Sequence, residues 1–130
     1  MKHTIYGKEL ANMPYQPRPE GSFSPIWRYT ENPVINRNPF EGASRVFNSA
    51  VIAYEGEFIG VFRADTTTGI PYLYLGRSKD GIHFSFDKEP IIFYDNKGKK
   101  VTLEYAYDPR LVELEGTYYI IFCTSNHGPT

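Results

Sequence analysis

From Ser44 onward the chain alternates short apolar runs, rich in Val, Ile, Tyr and Phe, with breaks at Gly, Asp and Asn. Successive side chains of a strand point to opposite faces, so brief alternating or fully apolar runs between turn residues are the signature of β-strands. The pattern predicts strands at 45–54, 57–64, 72–77, 83–86, 91–93, 111–114 and 117–124. Glu55-Gly56 and Glu115-Gly116 are two-residue hairpin links, and Asp80-Gly81 is a third tight turn. No segment sustains helical periodicity, so the predicted class is all-β.

Two of these hairpins repeat. Residues 48–62, from Asn48 to Phe62, align without a gap on residues 108–122, from Asp108 to Phe122, and the two Glu-Gly turns fall in register at a spacing of 60 residues. A period of that order holding about four short strands is the pattern of a β-propeller blade. Two similar hairpins in a β-sandwich are the alternative. Within the first repeat, the turn Ser78-Lys79-Asp80-Gly81-Ile82-His83-Phe84 adds weight to the blade. It should bond the Asp80 carboxylate to its own loop backbone, give Gly81 a positive φ and return Phe84 to the core.

The start of the chain is different. Six of the ten prolines, at positions 14, 17, 19, 25, 33 and 39, lie in residues 1–43. Residues without a backbone donor favour an extended arm laid over other structure, with Ile26, Trp27 and Tyr29 as its buried anchors; a loose tail is the other reading. The expected organisation is therefore an arm at 1–43, a first blade at 44–103 and the first half of a second blade at 104–130. Propellers close with at least about four blades, so on this expectation the 130 residues are a cut-short ring and inactive alone.

Composition narrows the chemistry. Fourteen Lys and Arg against fifteen Asp and Glu give a net charge of -1, which supplies no broad basic field for nucleic acid or an anionic membrane. The single cysteine, Cys123, allows no internal disulfide or Cys-rich zinc site and reads as a buried thiol. Three scattered histidines, His127 among them, suggest no metal. No apolar run reaches the roughly 18 residues of a membrane span and the first residues lack a signal-peptide core, which makes the cytoplasm the expected location. Whether the chain forms a homo-oligomer is open.

Innermost strands of successive blades line a propeller's channel, so repeat-equivalent residues converge there. Asn48 and Asp108 are such a pair, each just ahead of its apolar run. Pro109 is expected to hold Asp108 in extended backbone. A carboxylate fixed there suits a general acid or an acceptor of sugar hydroxyls, or else a structural ion pair with Arg110. Arg63 and Asp65, two apart in a strand, share one face; they are either joint ligand contacts or a solvated pair. Phe47 and Tyr107, each preceding its repeat's polar residue, are candidate platforms for a sugar ring or ordinary core aromatics.

At these residues the chain resembles glycoside hydrolase family 130, the mannoside phosphorylases and related β-mannosidases. The resemblance rests on six blocks in order: Asn32-Pro33-Val34-Ile35, Arg45-Val46-Phe47-Asn48-Ser49-Ala50-Val51, Gly60-Val61-Phe62-Arg63-Ala64-Asp65, Ser78 to Phe84, Tyr107-Asp108-Pro109-Arg110 and His127-Gly128-Pro129-Thr130. It implies a five-bladed propeller, of which this chain would hold about one and a half blades at the N-terminal end. It also implies that Asp108 is the general acid and that Asn48, Ser49, Arg63 and Asp65 bind the mannosyl residue, with Tyr107 beside them. The implied reaction is inverting phosphorolysis of a manno-oligosaccharide or mannosyl-glucose substrate, releasing α-mannose 1-phosphate. Inorganic phosphate is the implied co-substrate, with no cofactor, and the acid is implied to work through a hydroxyl of the bound mannose. Thr66-Thr67-Thr68-Gly69-Ile70 stands where several members are Arg-rich, and the residues that hold phosphate are expected on later blades. A hydrolase of the same family and a noncatalytic carbohydrate-binding propeller are the competing readings.

Overall fold

A computed structural model describes residues 16–125 and 128–129, and its regular structure is entirely β; among the described residues there is no helix. Residues 1–15 of the expected arm, and Asn126, His127 and Thr130 of the last block, lie outside that set. Strands β1 (Ala43–Tyr54), β2 (Glu57–Thr66), β3 (Pro71–Ser78) and β4 (Ser85–Phe86) form one antiparallel sheet in chain order. That up-and-down meander is the form of a propeller blade. Strands β5 (Phe93–Tyr94) and β6 (Lys100–Val101) make a small ribbon, and β7 (Tyr107–Leu114), β8 (Thr117–Ser125) and β9 (Gly128–Pro129) make a third sheet. The expected strands at 83–86 and 91–93 are each two residues long and begin two residues later. The ribbon's β6 had no apolar run to announce it, and β7 starts at Tyr107, four residues ahead of its apolar run.

Both Glu-Gly links are tight turns in which each residue has positive φ: 49° and 80° at Glu55 and Gly56, 53° and 78° at Glu115 and Gly116. This is the backbone that matches strand twist in a two-residue hairpin, and it closes Tyr54 on Glu57 and Leu114 on Thr117. In the second turn Glu113 Oε1 also accepts from the Gly116 N–H at 2.6 Å. The arm is pinned locally by Gln16, whose carbonyl accepts from Trp27 Nε1 at 2.8 Å and whose side chain binds Arg28 and Thr30. Trp27 is half-buried, with Arg18 over its ring, but Ile26 is exposed and so is not the anchor its apolar side chain suggested.

The central strand β2 is buried on both faces. Phe62, 1% exposed, lies on one face in edge-to-face contact with Phe84 and Phe86, each with ring centroids 5.1 Å away. Its ring covers the cross-strand pair Gly60 and Gly76: a Cβ at Gly60 would stand 2.5 Å from Phe62 Cε2, and one at Gly76 2.7 Å from it. Phe62 has no room to retreat. Gly60→Ala is therefore expected to destabilise the protein by about 1–3 kcal/mol, the cost of overpacking a filled core; denaturant unfolding measures it, and Phe62→Leu in the same chain should recover part of the loss.

Phe84 reaches Phe62 because the turn before it is built as its sequence requires. Asp80 Oδ1 accepts from the backbone N–H groups of Ile82 and His83 and from Ser78 Oγ, Asp80 Oδ2 lies 2.7 Å from His83 Nδ1, and Gly81 has φ 72°. The His83 ring and these backbone donors hold the Asp80 carboxyl well below the usual carboxylate range.

The other face of β2 carries Val61, Arg63 and Asp65. Val61 joins Leu73 and Ala106 in a second core, with Leu111, Ile120 and Phe122 of β7 and β8 packed on it. The Ala106 N–H donates to Pro71 O at 3.1 Å, and Pro71 is the cross-strand partner of Asp65. These contacts seat the start of β7 against β1 and β2, and so fix where Asp108 stands relative to Arg63.

Candidate active site

Strands β1 and β7 are both irregular at the repeat-equivalent position. In β1, Phe47 pairs with Arg63 and Ser49 with Phe62, leaving Asn48 as the extra residue. In β7, Tyr107 pairs with Cys123 and Arg110 with Ile121, so Asp108 and Pro109 share the space opposite Phe122. A bulge re-aims the extra side chain. Here the two bulges aim Asn48 and Asp108 at each other, and Asn48 Nδ2 donates to Asp108 Oδ1 at 2.7 Å.

The bulge overrides the expected extended backbone: Asp108 has φ 52°. Asp is among the few residues that tolerate left-handed backbone, but it does so at a cost of order 1–3 kcal/mol when neighbours must hold it there. The buried Pro109 ring anchors the far side of the bulge, and Asn48 and Arg63 hold the carboxylate. Strain of this kind collects at functional sites.

Arg63 is the hub. Its Nη1 donates to Asp108 Oδ1 at 3.2 Å and its Nε to Asp65 Oδ1 at 3.1 Å. Asp65 is 8% exposed along its side chain, against 24% for Arg63 and 35% for Asp108. The cluster thus grades from a buried carboxylate through a half-buried guanidinium to an accessible carboxylate. The guanidinium carbon also lies 5.1 Å from the Phe47 ring centroid and 5.5 Å from that of Tyr107, both within cation–π range. Both bonds to Asp108 fall on Oδ1. Oδ2 carries none of the cluster's hydrogen bonds and is the oxygen able to meet a ligand or pass a proton.

Of the residues expected from sequence, Asn48, Arg63, Asp65, Tyr107 and Asp108 are brought together. Ser49 is adjacent in sequence, but its hydroxyl donates to the Phe47 carbonyl at 3.2 Å instead of joining the cluster. The alternative ion pair of Asp108 with Arg110 does not form: Arg110 Nη1 donates to the Pro109 carbonyl at 2.9 Å, and Arg63 takes the carboxylate. The Arg63 and Asp65 pair is half-buried, not solvated. Cys123 is only half-buried; it pairs across the sheet with Tyr107, the residue just before the β7 bulge. Arg45, whose guanidinium carbon is 5.6 Å from the Phe47 ring, was not singled out by sequence reasoning. Its position two before Phe47, on the same strand face, was the available signal.

Among the described residues no group of three His, Cys, Asp or Glu side chains is placed to hold a metal. A groove of about 560 Å³ beside β3 and β4, lined by Arg77, Lys79, Asp80 and His83 among others, shares no residue with the cluster.

Known proteins resemble this chain in sequence and in fold. The family model for β-1,4-mannooligosaccharide phosphorylase, in glycoside hydrolase family 130, matches residues 8–130. A β-1,4-mannooligosaccharide phosphorylase of Ruminococcus albus is 38% identical over 129 residues, 93% of this chain and 38% of that protein. A 1,2-β-oligomannan phosphorylase of Thermoanaerobacter is 33% identical over 107 residues, 73% of this chain and 34% of that protein. A solved structure from work on family 130 hydrolases that target β-1,2 mannosidic linkages in Candida mannan superposes with a TM-score of 0.51 at 30% identity, over 65% of this chain and 26% of that one. The chain spans little more than a third of the curated relatives it matches.

Proposed function

Because the chain belongs to glycoside hydrolase family 130, we propose that it forms the donor-sugar side of the active site of an inverting β-mannoside phosphorylase. The relatives' greater length supports a five-bladed ring whose other blades lie outside these residues. Phosphate attacks the anomeric carbon of a terminal β-mannosyl residue, the bond to the leaving oxygen breaks, and Asp108 supplies that oxygen's proton through a hydroxyl of the bound sugar. The carboxylate then recovers a proton lost by the phosphate, and α-mannose 1-phosphate leaves with inverted configuration. The observation that carries the reading is Asp108 itself: a partly exposed carboxyl at a strained bulge, fixed by Asn48 and Arg63 through Oδ1, with Oδ2 taking neither of those bonds. Asn48 and the Arg63–Asp65 pair supply donors and acceptors for the mannosyl hydroxyls, with Tyr107 beside them.

One observation favours a second reading, a β-mannosidase using water. The cluster sets two carboxylates on one guanidinium, a balance that does not attract a phosphate dianion, so the cations a phosphorylase needs must come from other residues. Incubating the full-length protein with β-1,4- and β-1,2-manno-oligosaccharides, with and without phosphate, separates the two. Mannose 1-phosphate formed only with phosphate is expected. Free mannose at the same rate without phosphate would establish the hydrolase, and no product from either would leave a carbohydrate-binding propeller.

A further inference from the structure

Arg63 holds the proton donor, yet its own position depends on more than Asp65. An Arg side chain fixed at Nε alone keeps freedom at its far end, and Nη1 must sit at Asp108 Oδ1. Phe47 is the direct cross-strand partner of Arg63, and its ring is the nearer of the two aromatic rings at the guanidinium. It lies one residue before the Asn48 bulge, so one short stretch of β1 delivers both the ring that touches Arg63 and the amide that touches Asp108. At 39% exposure the ring contributes little to the core. The guanidinium groups of Arg63 and Arg45 both lie within cation–π range of it, at 5.1 and 5.6 Å.

We propose that Phe47 is a positioning residue for proton transfer: its ring holds the Arg63 guanidinium so that Nη1 fixes Asp108 Oδ1 and leaves Oδ2 aimed at the substrate. This role rests on Asp108 being the general acid, and it replaces the sugar platform that the sequence suggested for this ring. Phe47 touches Arg63 and not the reacting atoms, so its removal acts through the acid. Displacing a catalytic group by about an ångström costs on the order of 100-fold.

The test compares two substrates in the full-length protein with phosphate present: a manno-oligosaccharide, whose leaving alcohol needs a proton, and 2,4-dinitrophenyl β-mannoside, whose leaving group does not. Phe47→Leu is expected to lower kcat on the oligosaccharide by about 10- to 100-fold, with a much smaller fall in the dinitrophenyl rate, any KM change through Arg63 shared equally by both substrates, and thermal unfolding near the parent's. Phe47→Tyr, which keeps a ring for the guanidinium, should restore the oligosaccharide rate. A raised KM with unchanged kcat would make the ring a sugar platform and overturn the proposal, as would equal losses on both substrates. Parent enzyme that turns over neither substrate, with or without phosphate, would refute the catalytic reading itself and this role with it.

Discussion

Asp108→Asn in the full-length protein should reduce turnover of manno-oligosaccharides by about 10²- to 10⁴-fold, the range general acid catalysis supplies, while leaving sugar binding nearly intact. Asparagine is the informative replacement because it keeps an oxygen that can accept from Asn48 Nδ2 and Arg63 Nη1 as Asp108 Oδ1 does. It also tolerates the left-handed backbone that the bulge imposes at φ 52°. The lost ion pair is a third exposed on the Asp108 side and Arg63 retains Asp65, so the stability cost should stay below about 1 kcal/mol. What is removed is the transferable proton. Steady-state kinetics with binding measured separately by calorimetry should show kcat collapsing and Kd holding. An Asn variant with ordinary turnover would take Asp108 out of the acid role, and one that no longer binds sugar would make the residue a ligand contact.

How far the site could be read in advance depended on the kind of interaction. The hairpins were legible because a Glu-Gly pair between apolar runs has one good backbone solution, and both turns adopt it. The repeat was legible because its equivalent positions share a local pattern, and aligning Asn48 with Asp108 anticipated a bond that forms at 2.7 Å. The Asp108 backbone was misread. Pro109 disfavours helical backbone before it, and extended structure was the natural inference, but the register between Tyr107 and Arg110 demands an extra residue, and register belongs to the sheet and not to the dipeptide. Arg63 as partner of Asp108 was also beyond local reading. It depends on Ala106 bonding to Pro71 and on the packing of Val61, Leu73 and Ala106, contacts between residues far apart in sequence. Strand β6 went unseen for a simpler reason: a two-residue ribbon with both residues exposed leaves no apolar signature.

Replacing Arg63 should damage stability and activity together, and the two effects can be separated. Arg63→Gln leaves Asp65, 8% exposed, with its carboxylate buried and its guanidinium gone. Stranding a fully buried charge costs about 3–5 kcal/mol; with Arg63 itself a quarter exposed and water able to enter the space it vacates, about 2–3 kcal/mol is the expected loss. The same change frees Asp108 Oδ1 from its charged donor and leaves Asn48 alone to hold a strained residue, so kcat should fall by at least about 10²-fold. Arg63→Lys distinguishes charge from geometry. An ammonium can neutralise Asp65 and recover most of the stability, but it lacks the planar fork that serves Asp65 through Nε and Asp108 through Nη1 at once, so turnover should remain low. Adding Asp65→Asn to Arg63→Gln removes the stranded charge and should return a large part of the lost stability with no return of activity. Denaturant unfolding and steady-state kinetics on the four proteins complete the comparison. If the double variant recovers turnover, Arg63 acts only by neutralising Asp65; if it stays inactive while regaining stability, the guanidinium is what holds the acid in place.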